Sequence, residues 1–427
     1  MSLQSDFGKL AKQRLFPALG HRDFRMLWLA LTSADSAAWA VITARAWLTF
    51  NLADTNRSTW VGIVVFAAMI PFVLVPILAG FMADRMVRRD LLAWVLVFQI
   101  VINLVVGVLV LMDAIQIWHL ILVALATGSA MAAQISAAEP LTANLVPRKH
   151  LVNAYALVNS IFHGTRLLGP GIIAPLMGVM NIGWVFVMSA VAYFIALLLV
   201  VRIHTRSTGV VESTKGALRN LFSGFTYAYR NTVIFRVILV VIFHCAFTMS
   251  FEALLPAISE NRLGAGGGGV AYMNMTVGLG ALAIALIVAP ITAPKIRGRL
   301  LLATGVGSGL APLALAAAPT LPLAMLATVA MGASQAGFMI LAAILIQSVV
   351  PDGIRGRVSA IYIMHAAGIM SFANFANGRF SDLFNPGWVL TIAGLVFLTV
   401  IIISAMESTM RRMYVAGVPV QAAAPSS

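Results

Sequence analysis

The segment Gly80-Phe-Met-Ala-Asp84-Arg85-Met-Val-Arg88-Arg89 lies between two long apolar stretches and concentrates one carboxylate and three guanidinium groups in a short connection. Apolar stretches of this length predict membrane-spanning helices, so the segment lies where a hairpin of such helices must turn. Basic residues in a connection of this kind set which side of the membrane retains it. Membrane topology does not require Asp84. The segment therefore predicts a functional role for this acid in a polytopic membrane protein.

The composition of the whole chain supports this interpretation. The chain has 427 residues, of which 61% are hydrophobic and 10% are charged, and its mean hydropathy is +0.96. Soluble domains carry about 25% charged residues. Long apolar runs favour helices over the short alternating strands of a barrel. We predict an all-α protein of twelve transmembrane helices at 26–52, 59–83, 90–112, 118–142, 151–178, 182–203, 231–258, 269–293, 300–318, 321–349, 357–381 and 387–407.

The net charge of +14 has a distribution that argues against nucleic-acid binding. Most of the Lys and Arg residues fall in alternate connections, on the side that also holds both termini. By the positive-inside rule both termini are expected in the cytoplasm, in a bacterial inner (plasma) membrane. Residues 1–25 show no signal-peptide pattern. The lone Cys245 excludes an intrachain disulfide.

The spans are expected to form two halves. We predict a cytoplasmic N-terminal segment at 1–25, a six-helix half at 26–203, a cytoplasmic linker at 204–230, a second six-helix half at 231–407 and a cytoplasmic tail at 408–427. A weak repeat relates the halves, since a proline–basic–apolar block follows the fourth span of each, at 144–155 and at 348–362. Such parallel repeats place a substrate near the membrane midplane between the halves.

The segment 80–89 resembles the signature loop of the major facilitator superfamily, G-x-x-x-D-R-x-G-R-R, with Val87 in place of one glycine. Further motifs narrow the resemblance to an exporter branch that includes enterobactin exporters and multidrug and macrolide efflux proteins. The resemblance implies the major facilitator fold and export of a small amphipathic molecule. The motifs are Ala34-Asp35, Asn144-Leu-Val-Pro147, Arg166-Leu-Leu-Gly169-Pro170, Glu252-Ala-Leu-Leu-Pro256, Gly278-Leu-Gly280, Arg297-Gly-Arg299 and Gln347-Ser-Val-Val-Pro351.

The first candidate site is a conformational latch. A carboxylate at the end of span 2 can accept hydrogen bonds from a neighbouring helix N-terminus and pair with arginines. Such a cluster would hold the cytoplasmic ends of the two halves together when the protein faces outward. The simpler alternative is that the arginines only set the membrane topology. This alternative leaves Asp84 unexplained. The predicted latch residues are Gly80, Asp84, Arg85, Arg88 and Arg89.

Three acids inside the spans are candidates for proton coupling. Ionisable groups inside a membrane are energetically costly, so their presence indicates a functional role. Asp35 in span 1 is the first choice, with a structural hydrogen bond as its alternative. Glu139 near the end of span 4 is either a proton site, a partner of Arg166 or an interfacial pair for Arg148. Glu252 in span 7 is either a proton or substrate site or an outer-end pair with Arg262.

Further polar residues are candidates for the substrate cavity. Arg45 would pair with an acid across the cavity, receive an anionic group of the substrate, or snorkel to the outer interface beside Trp47. His163 and Arg166 share a face of span 5. The asparagines offer cavity contacts, although membrane helices also use Asn for packing. The predicted cavity residues are Arg45, His163, Arg166, His244, Asn274 and Asn374.

Span 5 also carries a predicted bend. Small residues allow close helix contact, and a proline frees a backbone carbonyl. In related proton-driven exporters a glycine–proline motif at this place is linked to export direction, although Ala174-Pro175 departs from the later part of that motif. The predicted bend residues are Gly164, Gly169, Pro170 and Gly171.

Together these features predict a secondary active transporter that exports a small amphipathic molecule, drug-like or siderophore-like, by proton antiport and alternating access. The expected partners are the substrate, protons and the lipid bilayer, with no nucleic acid, and the chain is expected to be a monomer. No catalytic constellation, cofactor motif or metal-ligand array is found, so an enzyme is not expected. The alternatives are a proton-independent transporter or flippase of a lipid-like or chelate substrate, and a transport-dead sensor or scaffold.

Overall fold

The computed structural model describes residues 17–417 except 74, 76–85, 206, 208–224 and 352–353. Within these residues the chain forms helices and connections, and no strand. We number the long helices in chain order. They are α1 (Arg22–Leu52), α2 (Arg57–Met69), α3 (Arg88–Leu111), α4 (Ile117–Asn144), α5 (Leu151–Ile173), α6 (Gly183–Val200), α7 (Thr232–Phe247), α8 (Gly266–Val288), α9 (Pro294–Ala317), α10 (Leu321–Val349), α11 (Arg355–Leu383), α12 (Pro386–Met406) and α13 (Ser408–Ala416).

Ten segments of the described chain are long and apolar enough to cross a membrane, and a shorter apolar helix covers Arg57–Val73. α5 is 23 residues long but more polar, because it carries Asn153, Asn159, His163 and Arg166. The predicted all-α, multi-pass architecture is confirmed. Each predicted span overlaps a helix of the described residues. α2 ends at Met69, whereas span 2 was predicted to continue to residue 83, and residues 74 and 76–83 lie outside the described residues. Span 9 begins at Pro294 rather than at residue 300.

Each half of the chain has its own apolar core. One set of buried clusters joins α1, α3, α4, α5 and α6, and another joins α7 with α9–α13. Glycines allow close backbone approach within each half, as membrane helices require for packing. A Cβ on Gly107 of α3 would lie 3.2 Å from the carbonyl of Gly183 on α6, and one on Gly280 of α8 would lie 2.0 Å from that of Val329 on α10.

The two halves meet through two antiparallel helix pairs, α2 with α11 and α5 with α8. We call the side where α1 begins and α12 ends the terminal face, and the opposite side, with the α1–α2 and α11–α12 connections, the distal face. Between the middle of the bundle and the distal face the pairs touch at backbone distance. A Cβ on Gly378 would lie 2.3 Å from the carbonyl of Ser58, and one on Gly278 would lie 2.4 Å from the amide of Leu167.

Span 7 is interrupted, which corrects the predicted continuous helix 231–258. α7 ends at Phe247, and short helical turns follow at Glu252–Leu254, Leu255–Ala257 and Ile258–Arg262. Pro256 lies in the first turn of the Leu255–Ala257 segment that follows the interruption, where a residue without an N–H is tolerated. Side chains satisfy the freed carbonyls, since Gln335 Nε2 donates to Thr248 O at 2.7 Å and Asn377 Nδ2 donates to Ser250 O at 2.6 Å. Irregular backbone inside a membrane requires such partners.

Candidate functional site

A buried ion pair joins the two halves in the interior of the bundle. Arg166 of α5 places Nη2 3.4 Å from Oε1 of Glu252, which lies directly after the interruption of span 7. The side chains are only 15% and 10% exposed. Each charge withdrawn from water loses several kcal/mol of solvation, and attraction repays this loss only with good geometry and further hydrogen bonds. A buried pair that links two bodies is therefore expected to serve function more than stability.

Polar and aromatic groups from α1 and α8 complete this site. Arg166 Nη2 also donates to Oδ1 of Asn274 at 3.3 Å, and Asn274 Nδ2 donates to Oγ1 of Thr43 at 3.4 Å. The guanidinium carbon lies 4.4 Å from the ring centroid of Trp39, within the range of a cation–π interaction. We refer to Trp39, Thr43, Arg166, Glu252 and Asn274 as the interface site.

The interface site has more hydrogen-bond donors than acceptors. Arg166 Nε and Trp39 Nε1 are buried and have no hydrogen-bond partner among the described residues. Buried polar atoms normally have a partner, so each such atom calls for an explanation. Both atoms are donors, and the group that would satisfy them must therefore supply acceptor oxygen or nitrogen atoms.

Asp35 lies on the same side of α1 as two residues of the interface site. Asp35, Trp39 and Thr43 are spaced by four residues and follow one stripe of the helix. The Asp35 carboxylate accepts a hydrogen bond from Gln134 Nε2 at 2.7 Å and is partly exposed. One carboxylate oxygen has this amide as its partner, and the second accepts no hydrogen bond from the described residues, which leaves it for a proton or a donor.

Two predicted cavity residues flank the interface site. His163 lies one turn before Arg166 on α5 and is half-buried. Arg45 is 3% exposed and donates from Nη1 to Oγ1 of Thr127 on α4 at 2.9 Å, so its contact lies within the first half. It does not snorkel to the bundle surface as the alternative interpretation of the sequence suggested.

Two other predicted cavity residues have structural contacts. His244 is fully buried within the second half, where Nε2 hydrogen-bonds Ser308 Oγ at 2.9 Å and the ring lies against Phe338 and Phe397. The structure therefore places it away from the interface site. Asn374 accepts from the backbone N–H of Ala253 at 3.3 Å and supports the interrupted segment of span 7.

Glu139 lies on α4 toward the terminal face and is exposed. Tyr155 donates to its backbone carbonyl at 3.4 Å. The ion pairs of the described residues include neither a Glu139–Arg166 nor a Glu139–Arg148 pair, so the structure brings neither proposed partner to it.

Only part of the predicted latch falls on described residues. Gly80, Asp84 and Arg85 lie outside them. Arg88 donates to Ser207 Oγ at 3.1 Å, and Arg89 pairs with Asp90 at 2.7 Å and donates to the carbonyl of Ile203 at 3.0 Å. The two arginines therefore tie the start of α3 to the beginning of the linker.

The predicted bend residues of α5 have different surroundings. Pro170 lies inside the helix, which continues to Ile173. A Cβ on Gly169 would lie 2.2 Å from the carbonyl of Ser36 on α1, and one on Gly171 would lie 3.1 Å from Met275 Sδ on α8. A Cβ on Gly164 would meet nothing within 4 Å. Close helix contact thus requires a small residue at Gly169, not at Gly164.

Sequence reasoning missed several residues of this region. Trp39, Thr43 and Gln134 were not singled out, although the four-residue spacing from Asp35 to Thr43 marks one stripe of α1. Asp382 at the distal face was also missed, and nothing local in the sequence distinguishes it from a loop acid. Within the described residues, no group of three His, Cys, Asp or Glu side chains could hold a metal ion.

Comparisons with known proteins agree on the class of the molecule. Residues 14–420 match the family model of transmembrane secretion effectors. The chain is 25% identical over 250 residues to a staphyloferrin A transporter of Staphylococcus aureus (strain NCTC 8325 / PS 47), a match that covers 58% of this chain and 61% of that protein. The chain thus spans about three fifths of the length of that relative.

Solved structures with a similar fold are transporters. A structure of the nucleoside transporter NupG has a TM-score of 0.71 at 13% identity, over 90% of this chain and 99% of that chain. A D-xylose–proton symporter has a TM-score of 0.67 at 15% identity, over 90% of this chain and 96% of that chain. These likenesses confirm the predicted major facilitator fold.

Proposed function

The chain belongs to the transmembrane secretion effector family of the major facilitator superfamily, and from this membership we propose that it exports a small molecule. It is a transporter and not an enzyme. The substrate we propose is amphipathic, either drug-like or siderophore-like, and export proceeds by alternating access with proton antiport. The chain acts as a monomer in a bacterial inner membrane, with the terminal face toward the cytoplasm, as its basic connections favour.

The observation that carries this proposal is the Arg166–Glu252 pair, in which each half contributes one buried charge. Alternating access requires two bodies that part on one face while they meet on the other. The described contacts between the halves extend from the middle of the bundle to the distal face. The structure therefore corresponds to a state closed at the distal face, and the pair is a contact that opening must break.

Proton antiport needs one group for which the proton and the substrate compete. Asp35 suits this role because it is a partly exposed carboxylate in a span, with one oxygen free of the Gln134 amide. A proton at Asp35 would exclude a donor group of the substrate, and deprotonation toward the terminal face would readmit it. Glu252 is the second candidate, since its protonation would release Arg166, and Glu139 is the third.

The interface site indicates how the substrate is held. Its unpartnered donors, Arg166 Nε and Trp39 Nε1, favour a molecule with acceptor oxygens, and the Trp39 ring offers an apolar face. An amphipathic molecule combines both properties. The half-buried His163 lies one turn closer to the terminal face, on the path by which such a molecule would enter.

The experiment begins with cells that overexpress the protein, grown against a panel of toxic amphiphiles with and without a protonophore. A compound that the protein expels is then tested in proteoliposomes under an imposed pH gradient. We expect Asp35→Asn to bind the compound but to lose transport against a concentration gradient. Quenching of tryptophan fluorescence measures the binding. Asp113→Asn, which removes an exposed acid from the α3–α4 connection, is the matched control and should transport normally.

Each other outcome has a defined meaning. Full coupled transport by Asp35→Asn would remove Asp35 from the mechanism. A wild-type flux that ignores the pH gradient would favour the proton-independent transporter or flippase. Absence of any flux, with the compound bound, would favour the sensor or scaffold.

A further inference from the structure

The N-terminus of α2 is capped by a residue of the other half. The backbone N–H of Ser58 donates to Asp382 Oδ1 at 3.0 Å, and that of Thr59 donates to Oδ2 at 2.7 Å. Thr59 Oγ1 donates to the same oxygen at 2.7 Å. Ser58 and Thr59 are the second and third residues of α2, whose N–H groups normally bond to the N-cap side chain of their own helix.

The N-cap residue of α2 does not cap its own helix. Asn56 has a left-handed backbone, with φ 52° and ψ 43°, and its side chain makes no capping bond. Its amide oxygen instead accepts a hydrogen bond from Arg379 Nη1 of α11 at 2.8 Å. Asparagine is among the strongest N-cap residues, so the Asn56 side chain could cap α2. In this state it bonds to Arg379 instead.

These contacts all cross between the halves at the distal face. Ser381 Oγ donates to Ser58 Oγ at 3.1 Å, and the Gly378 backbone touches that of Ser58. Separation of α2 from α11 would therefore break the Asp382 bonds and the Arg379–Asn56 bond together. Two N–H groups of α2 would then lack their acceptor, and Asn56 would at the same moment lose its donor.

We propose that α2 exchanges its N-terminal cap during transport: Asp382 caps the helix when the distal face is closed, and Asn56 caps it when that face is open. The exchange keeps the N–H groups of α2 bonded in both states, which lowers the free-energy difference between them. As caps of α2, Asp382 and Asn56 thus favour opposite states. This inference rests on the alternating access proposed above.

The test measures the width of the distal face directly. Spin labels are placed at Ala114 and Thr320, which are exposed at the distal face in different halves, in a chain whose buried Cys245 is replaced by alanine. Electron paramagnetic resonance in lipid nanodiscs then gives the populations of the short (closed) and long (open) distances. Samples are measured at acidic and at neutral pH.

The two cap residues should shift the populations in opposite directions. Loss of one helix cap corresponds to a change of roughly fivefold in an equilibrium. We expect Asp382→Ala to raise the open-to-closed ratio by about that factor or more. Asn56→Ala also removes the closed-state bond from Arg379, so it is measured in a chain that already carries Arg379→Ala, where it should lower the ratio by about that factor. Asp54→Ala is the matched control and should leave the ratio unchanged. Asp54 is an exposed acid of the α1–α2 connection, which also holds Asn56, and it has no hydrogen bond to the described residues.

Opposite shifts would support the exchange, because general destabilisation of the protein cannot produce them. Asp382→Asn keeps one acceptor oxygen and should give an intermediate shift, so it replaces Asp382→Ala if that variant does not fold. Equal ratios in wild type and both Asp382 variants, or a shift toward the open state when Asn56→Ala is added to Arg379→Ala, would overturn the exchange alone. A single distance in the wild type at every pH would overturn alternating access and the exchange with it.

Discussion

The two faces of the bundle hold their charged residues in different ways. At the distal face, Asp382 and Arg379 of α11 bond to the start of α2, so the contacts join one half to the other. At the terminal face, the described arginines Arg88 and Arg89 bond to the linker next to their own half. Only contacts of the first kind resist the parting of the halves. A charged residue therefore influences the conformational state when its partner belongs to the other half.

The largest effect is expected where the halves touch at backbone distance. In Gly278→Ala the new Cβ would lie 2.4 Å from the amide nitrogen of Leu167, which cannot move without α5. Overpacking of this kind costs about 1–3 kcal/mol. We expect loss of the closed distal state and of transport, measured with the spin-label distances and the efflux assay. Gly164→Ala, with nothing within 4 Å of its Cβ, is the control, and equal defects in both would contradict the prediction.

The next effect concerns the acid of the segment 80–89. We propose that Asp84→Asn shifts the balance of states more than any single change in the matching loop of the second half, Lys295 to Arg299. That loop has bases without an acid, and Arg297 Nε donates to the carbonyl of Ile291 in its own half at 2.7 Å. Accessibility of engineered cysteines on each face measures the shift. Equal changes for Asp84→Asn and Arg297→Gln would defeat the prediction.

A smaller effect is expected from contacts within one half. Ser207→Ala removes side-chain bonds from Arg88 and Asn144. Each lost bond should cost about 1 kcal/mol of stability. Because both partners belong to the first half, the melting temperature in detergent should fall while the spin-label ratio stays that of the wild type. A shifted ratio would show that the linker participates in closure.

The smallest effect is expected at Glu407, which follows α12, caps α13 and pairs with Arg236 at 2.6 Å. Partial desolvation raises the pKa of Glu407, but hydrogen bonds from the amides of Met410 and Thr409 and the Arg236 charge outweigh it, and the pKa is lowered overall. The stabilisation is therefore present above the ordinary glutamate pKa of about 4.3 and is lost as the pH falls through the lowered value.

Glu407→Gln should accordingly lower the melting temperature slightly at neutral pH. The difference from wild type should disappear once the pH falls below the lowered pKa of Glu407, where the wild-type carboxyl also becomes protonated. Melting curves at both pH values test this. A difference that persists in acid would assign the effect to packing and not to charge.

Much of the fold was predictable because the membrane imposes strong rules on a sequence. A span needs a long apolar run, so the spans could be located, and the charges of the connections favoured one orientation. The interruption of span 7 was missed because residues 248–251 contain no proline or glycine, and Pro256 lies in the helical turn that follows. The partners that stabilise the interruption, Gln335 and Asn377, come from distant helices.

The candidate site was predictable only in part. Buried ionisable residues such as Arg166, Glu252 and Asp35 stood out because charge in a membrane is costly. Their partners did not, since Arg262 and Arg148 were considered as partners and neither pairing is found among the described residues. His244 was predicted as a cavity residue because it precedes Glu252 in the same span. Its ring lies in the core of the second half.

Hydrophobic length and buried charge are properties of local composition, so the class of the protein, its helices and the ionisable residues that need a function could be predicted from the sequence. The Arg166–Glu252 pair and the capping of α2 by Asp382 depend on the tertiary structure. Residues far apart in the chain are brought together by the packing of one half on the other, and a hydrogen bond depends on distances of a few tenths of an ångström. The acid of the segment 80–89 marked the family, and Asp382 at the opposite face shows how an acid can hold two halves together.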